Sequence, residues 1–327
     1  MSVLILNREE VEEILTMKDC IGVMRDAFTA LAKGGSYNPL RSIMRLPTKK
    51  GLFGMMPGYT SENDIFGIKA ISVFPGNYKE GISSHQGVVL LFEGDHGRLI
   101  AVMDAEVITA VRTAAVSALA TDVLAKKDSK ILAILGAGVQ GRRHLESISL
   151  VRGIERAYVW DIDDRYSQAY IASESPRYNF DITAAGSAEE AVKDADIICT
   201  VTPAKAPILR LKWVKPGAHI NAVGACTPDA QEIESGLMAH SSLYTDCRES
   251  LFNEPGDFLI PKKEGLIAED HVKGELGELI AGVISGRASD KEITLFKALG
   301  LAIDDLAAGY YVYEKASAKK TGISLDL

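Results

Sequence analysis

Lys130-Ile131-Leu132-Ala133-Ile134-Leu135 runs without a break into Gly136-Ala137-Gly138-Val139-Gln140-Gly141. The first stretch is an apolar, partly β-branched run of strand length. The second fits Gly-x-Gly-x-x-Gly, a pattern that carries meaning only between a strand and a helix, which is its setting here. Gly136 then permits the tight turn, Gly138 lets backbone approach a pyrophosphate, and Gly141 lets helix and strand pack closely. The diphosphate would rest on the amide groups of Ala137, Val139 and Gln140 at the positive helix end. The loop therefore predicts a dinucleotide-binding α/β domain.

Downstream, short apolar runs alternate with helical or loop stretches: Ala157 to Asp161, Ile197 to Val201, Ile220 to Val223 and Leu243 to Thr245. This alternation predicts parallel strands with right-handed crossovers, a doubly wound sheet. Asp161 ends the second strand, 20 residues after Gly141, where an acid accepts the ribose hydroxyls. A carboxylate there repels a 2′-phosphate, so NAD is expected over NADP, although Arg165 lies nearby. The alternative reading of Asp161 is a helix cap. Thr200, Val201, Thr202 and Pro203, and then Val223, Gly224 and Ala225, end later strands, and strand C-termini border the ligand crevice in this fold.

Upstream the pattern differs. Residues 3–6 read as a strand, and Asn7 with Glu10 and Thr16 with Asp19 read as capping boxes. The second opens an amphipathic helix ended by Gly34-Gly35. Strand-like runs follow at Ser42 to Leu46, Leu52 to Met56, Gly67 to Phe74 and Gly87 to Phe92, separated by turn signals. Asp104 is placed to cap a long helix reaching about Leu124. Ile293 to Ala316 reads as one more long helix. The expected division is a second α+β domain, 1–122 with 304–327, and a Rossmann domain, 123–303.

Of the 327 residues, 47% are hydrophobic and 24% charged, with a formal net charge of −8. That balance can bury a sizeable core. An acidic chain without a basic stripe is a poor ligand for nucleic acid or anionic membranes. Cys20, Cys199, Cys226 and Cys247 form no Cys-x-x-Cys pair and read as idle thiols of a reducing compartment. The apolar N-terminal run is too short for a signal peptide, and no run reaches the roughly 20 apolar residues of a membrane helix. The expectation is a cytoplasmic protein.

Three cations sit in apolar surroundings: Arg45 in Ile43-Met44-Arg45-Leu46, Lys69 in Ile68-Lys69-Ala70-Ile71, and Arg112 in Val111-Arg112-Thr113-Ala114. A buried cation needs an anionic partner or its pKa shifts. Either each faces solvent or a structural carboxylate, or together they grip a substrate carboxylate. Lys69 with a lowered pKa is also a candidate proton donor. His85 is either a proton carrier or structural, and Asp229 either an active-site acid or a helix cap. His96, His144, His219, His240 and His271 show no ligand spacing, and no metal is expected.

These residues resemble the ornithine cyclodeaminase and mu-crystallin family over almost the whole chain. The resemblance is carried by Met56-Pro57-Gly58-Tyr59, Gly67-Ile68-Lys69, Phe74-Pro75-Gly76-Asn77, His85-Gln86-Gly87, Met103-Asp104, Arg112-Thr113-Ala114-Ala115, the glycine loop, Asn221-Ala222-Val223-Gly224-Ala225 and Ile293-Thr294-Leu295-Phe296. It implies a substrate carboxylate bound by Arg45, Lys69 and Arg112, a homodimer, and a dinucleotide side that also includes Thr113, Ile162 and Leu295. Cyclodeaminases of the family carry acids where this chain has Gly54 and Cys226, and a lysine where it has Ala230. The resemblance thus leans to the mu-crystallin branch. It implies an NAD-dependent imine reductase or amino-acid dehydrogenase acting on a small α-imino or α-amino carboxylate. Two other readings stand beside it, an ammonia-releasing ornithine cyclodeaminase and a non-catalytic binding protein.

Overall fold

The computed structural model describes residues 2–326, side chains at 78 and 79 apart. The chain forms two compact units, Met1–Arg112 with Gly300–Leu327, and Thr113–Leu299. The first boundary falls inside the helix Ala105–Leu124, ten residues before the expected position, because that helix continues from one unit into the other. The second falls at Gly300, whose φ of 75° turns the chain sharply.

The first unit holds an eight-stranded sheet. Its strands are β1 (Ser2–Leu6), β2 (Ser36–Tyr37), β3 (Ser42–Arg45), β4 (Leu52–Thr60), β5 (Ile65–Val73), β6 (His85–Glu93), β7 (Leu99–Asp104) and, at the end of the chain, β16 (Ile323–Asp326). The order is β16-β1-β7-β6-β5-β4-β2, with β3 also on β4. All pairings are antiparallel except β1 with β7. The helix Ala302–Lys319 packs on β4, β5 and β6 and against Met17–Ala32. Asn7 and Glu10 form the expected capping box, Thr16 accepts from the Asp19 amide, and Asp104 accepts from Val107 N at 2.9 Å.

The second unit is an all-parallel sheet. Its strands are β8 (Ile131–Leu135), β9 (Arg156–Trp160), β10 (Asp181–Ala184), β11 (Ile197–Thr200), β12 (His219–Ala222), β13 (Ser242–Thr245), β14 (Val272–Glu275) and β15 (Thr294–Lys297), in the order β10-β9-β8-β11-β12-β15-β13-β14. The order reverses between β8 and β11, the switch point at which ligands bind in such sheets. This is the doubly wound Rossmann arrangement expected from the alternation.

Two expectations are corrected. Ile293 to Ala316 is not one helix: Thr294–Lys297 is a fully buried strand between β12 and β13, and the helix begins at Ala302. Thr294, Leu295, Phe296 and Lys297 are all buried, so their burial carries neither period and helix and strand cannot be told apart there by pattern. Among the described residues, Ala105–Leu124 is long and apolar enough to cross a membrane by length and composition, contrary to the expectation that no run reaches that length. Every residue from Ala114 to Thr121 is buried within the protein.

Candidate cofactor and substrate sites

In the second unit, Leu135 delivers the chain to Gly136, whose φ of 117° disfavours a side chain and where a Cβ would lie 2.9 Å from Val201 O. A Cβ on Gly141 would run into the Gly136 carbonyl oxygen. Gly138 is the opposite case: a Cβ there meets nothing within 4 Å, and as N-cap of the helix Val139–Val151 it offers no side-chain cap. The first amides of that helix are therefore open to an anion. Asp161, just past β9, accepts from Ala137 N at 2.9 Å and Asp163 N at 3.2 Å. It braces the loop rather than capping a helix. Two bonds use half of the roughly four acceptor positions of a carboxylate. Arg165 is tied to Asp163 at 2.6 Å, so it is engaged away from Asp161. The following Ile162 is 91% exposed.

The ends of β11 and β12 meet an unforeseen residue. Glu232, fully buried, accepts from Thr200 Oγ1 at 3.0 Å, Thr202 N at 2.7 Å, Thr202 Oγ1 at 2.7 Å and Gly224 N at 2.7 Å. Asp257 in turn accepts from Glu232 N at 2.8 Å and Ile233 N at 3.0 Å, and pairs with Lys297 Nζ at 3.0 Å. Burial, then the charge of Asp257, pushes the Glu232 carboxyl above its usual range. Burial opposes the charge of Lys297, but Asp257, Cys226 and Glu232 outweigh it and raise its pKa. Nothing local in the sequence marks this trio, because its members come from separate segments. Cys226 Sγ donates to Val223 O at 3.3 Å. Leu295, expected on the dinucleotide side, has its side chain fully buried in the unit's apolar core. Thr113 is half-buried. Asp229 is exposed, held by Thr227 Oγ1 at 2.8 Å and Lys205 Nζ at 3.1 Å. Those two contacts lower its pKa, and it caps no helix.

In the first unit, Lys69 and Arg112 are 2% and 4% exposed, so the apolar context told the truth about both. Their partners are Asp304 and Asp305 in the first turn of the last helix, where the helix dipole favours acids. Lys69 Nζ lies 2.8 Å from Asp305 Oδ2, and Arg112 Nε lies 3.0 Å from Asp305 Oδ1. Arg112 Nη1 reaches Asp304 Oδ2 at 3.5 Å. Lys69 also approaches Thr109 Oγ1 at 3.4 Å. Burial and the charge of Arg112 draw Lys69 down to about 8, with Asp305 opposing.

Arg45 is different. By register it shares the Lys69 face of the sheet, but it is exposed, because its apolar neighbours Ile43 and Met44 are themselves 40% and 52% exposed. The arginine that belongs to the cluster is Arg41. It is half-buried, donates to Gly300 O at 2.8 Å, and its charge bears on Lys69. His85 is exposed at the start of β6, with Nδ1 2.9 Å from Ser84 Oγ. Loss of surrounding water and the charge of Lys69 lower its pKa. The histidines showed no ligand spacing in sequence, yet the fold brings ligand atoms of Glu93, Asp95 and His96 within 4.8 Å of one another. Glu93 already accepts from Arg98 N, Arg98 Nε and His96 N there.

A doubly wound sheet with a glycine-loop cradle and an acid after its second strand defines a dinucleotide-binding oxidoreductase fold, here joined to an α+β unit with a buried cation cluster. The chain belongs to the ornithine cyclodeaminase/mu-crystallin family, whose profile matches residues 1–320. It is 38% identical over 319 residues to the mouse ketimine reductase mu-crystallin, covering 96% of this chain and 98% of that protein. The structure of Thermococcus litoralis Δ1-pyrroline-2-carboxylate reductase in complex with NADH and L-proline superposes with a TM-score of 0.97. That pair is 39% identical, with 99% of this chain and 100% of that one covered. An archaeal alanine dehydrogenase dimer with bound NAD gives 0.94 at 30% identity, covering both chains fully.

Proposed function

We propose that this chain is an NAD-dependent oxidoreductase that reduces small α-imino carboxylates to α-amino acids. One observation carries the reading: a glycine loop open at Gly138, braced by the carboxylate of Asp161, in a chain whose relatives at 38 to 39% identity are a ketimine reductase and a Δ1-pyrroline-2-carboxylate reductase. The amides after Gly138 hold the diphosphate, and the free acceptor positions of Asp161 hold the adenosine ribose. Bound NADH supplies the hydride for the substrate α-carbon. Arg112 and Arg41 hold the substrate carboxylate, and Lys69, with its pKa near 8, delivers the proton to the nitrogen. Gly54, Cys226 and Ala230 stand where cyclodeaminases carry functional side chains, which favours reduction over ammonia release. A screen of NADH oxidation with pyruvate plus ammonia, pyrroline-2-carboxylate, piperideine-2-carboxylate and iminosuccinate tests this. At least one is consumed, NADH outperforms NADPH, and ornithine gives no proline. Proline and ammonia from ornithine without net NADH change would mean the lyase instead.

We also propose that the protein is a homodimer of the cytoplasm, where its four free cysteines stay reduced. The sheet face opposite Lys69 exposes Met44, Phe66 and Val88 at 52%, 38% and 37%, beside the stacked Phe66–Phe92 pair. Apolar patches of this kind mark interfaces, and the archaeal alanine dehydrogenase relative is a dimer. Light scattering should return twice the 35.2 kDa chain mass, and Phe66→Glu with Val88→Glu should return the monomer. A wild-type monomer would refute the dimer.

A further inference from the structure

We infer that Glu232 is a positioning residue for the nicotinamide half of the cofactor. The inference rests on the reading of the second unit as the NADH-binding unit. The switch point between β8 and β11 directs the dinucleotide over the C-terminal ends of β11 and β12. Those ends are short loops, where the Gly224 amide reaches Thr200 O at 3.2 Å but lies closer to Glu232, at 2.7 Å. Glu232 takes four donors from them: the Thr200 and Thr202 hydroxyls and the Thr202 and Gly224 amides. Four donors fill the acceptor capacity of one carboxylate, and bonds to an ionised acceptor are about twice as strong as neutral ones. The two rims are thereby fixed to one side chain. Its own backbone is pinned by Asp257, whose charge is balanced by Lys297 on β15. Neighbouring strand ends β11, β12 and β15 thus form one braced edge, although Glu232 itself need not touch the cofactor.

The geometry makes Gln an unsuitable replacement. Each oxygen of Glu232 faces one backbone amide and one hydroxyl. Whichever way a Gln turns, its NH2 faces an N–H donor that cannot rotate away. Glu232→Gln should therefore loosen the rims at the nicotinamide end and leave the glycine loop and Asp161 untouched. The test is a pair of dissociation constants on the full chain, for NADH and for ADP-ribose, which lacks the nicotinamide. The expected result is NADH binding weakened by about tenfold or more with ADP-ribose binding unchanged. Equal weakening of both ligands, or no change in NADH, overturns the inference. Should Glu232→Gln not fold, Thr200→Val removes one of the four donors at constant shape. It should weaken NADH by about two- to fivefold, a fraction of about 1.4 kcal/mol per decade, again sparing ADP-ribose; an unchanged ratio of the two constants refutes the role. Failure of the wild-type protein to bind either ligand would instead refute the NADH reading itself.

Discussion

Lys69→Met should abolish turnover, with kcat for imine reduction falling by about 10²- to 10⁴-fold, the range of a lost general acid. The variant should still fold. Asp305 keeps its 3.0 Å bond to Arg112 Nε when Lys69 is gone, so no carboxylate is stranded. Lys69→Arg restores the positive charge but not the rate, because a guanidinium does not give up its proton in this pH range. The pH profile of the wild-type enzyme follows from the same residue. Reduction needs Lys69 protonated, and its pKa lies near 8. The rate should be full below about pH 7 and decline as pH rises through 8, whereas amino-acid oxidation, which needs the neutral amine, should rise over that interval. Steady-state kinetics of both variants, with KM and kcat separated, check this. If NADH oxidation survives unchanged in Lys69→Met, the assignment of the site is wrong.

Lys297→Met should destabilise the parallel sheet by about 3–5 kcal/mol, the cost of breaking a buried ion pair from one side. Lys297 and Asp257 are both fully buried, 3.0 Å apart. Methionine fills the space of the lysine stem but leaves the Asp257 carboxylate in an apolar setting without its cation. Denaturant unfolding monitored by far-UV circular dichroism measures the loss. A loss below about 1 kcal/mol, well short of the usual cost of an unpaired buried charge, would mean that Asp257 is held by its two backbone donors alone.

Much of this was legible in the sequence, for definite reasons. Gly136 and Gly141 leave no room for a Cβ, so the tight turn and the close helix–strand packing of the glycine loop could be read locally. Asp161 follows from strand length and spacing. Lys69 and Arg112 betrayed themselves as charges among apolar neighbours. What was hidden is long-range. Asp305 lies 193 residues from Arg112 in sequence, and an acid in a helical first turn is unremarkable by itself. Glu232, Asp257 and Lys297 meet only once the crossovers of the sheet have formed. Arg45 misled because an apolar neighbourhood in sequence is buried only if the sheet is covered there, and β3 is an exposed strand. Leu295 was placed on the dinucleotide side by the resemblance alone; its segment is a central strand, and its side chain serves the core.

Hydride transfer from a nicotinamide to the α-carbon of an imino acid is the step on which the proposed chemistry depends. It can be followed by mass spectrometry of the amino acid formed from pyrroline-2-carboxylate, piperideine-2-carboxylate, iminosuccinate or pyruvate plus ammonia with NADH carrying deuterium at both C4 positions. At least one of these should give product with deuterium on the α-carbon, mole for mole with the deuteride lost from NADH. Product lacking the label, or no oxidation of NADH with any of the four, would contradict hydride transfer.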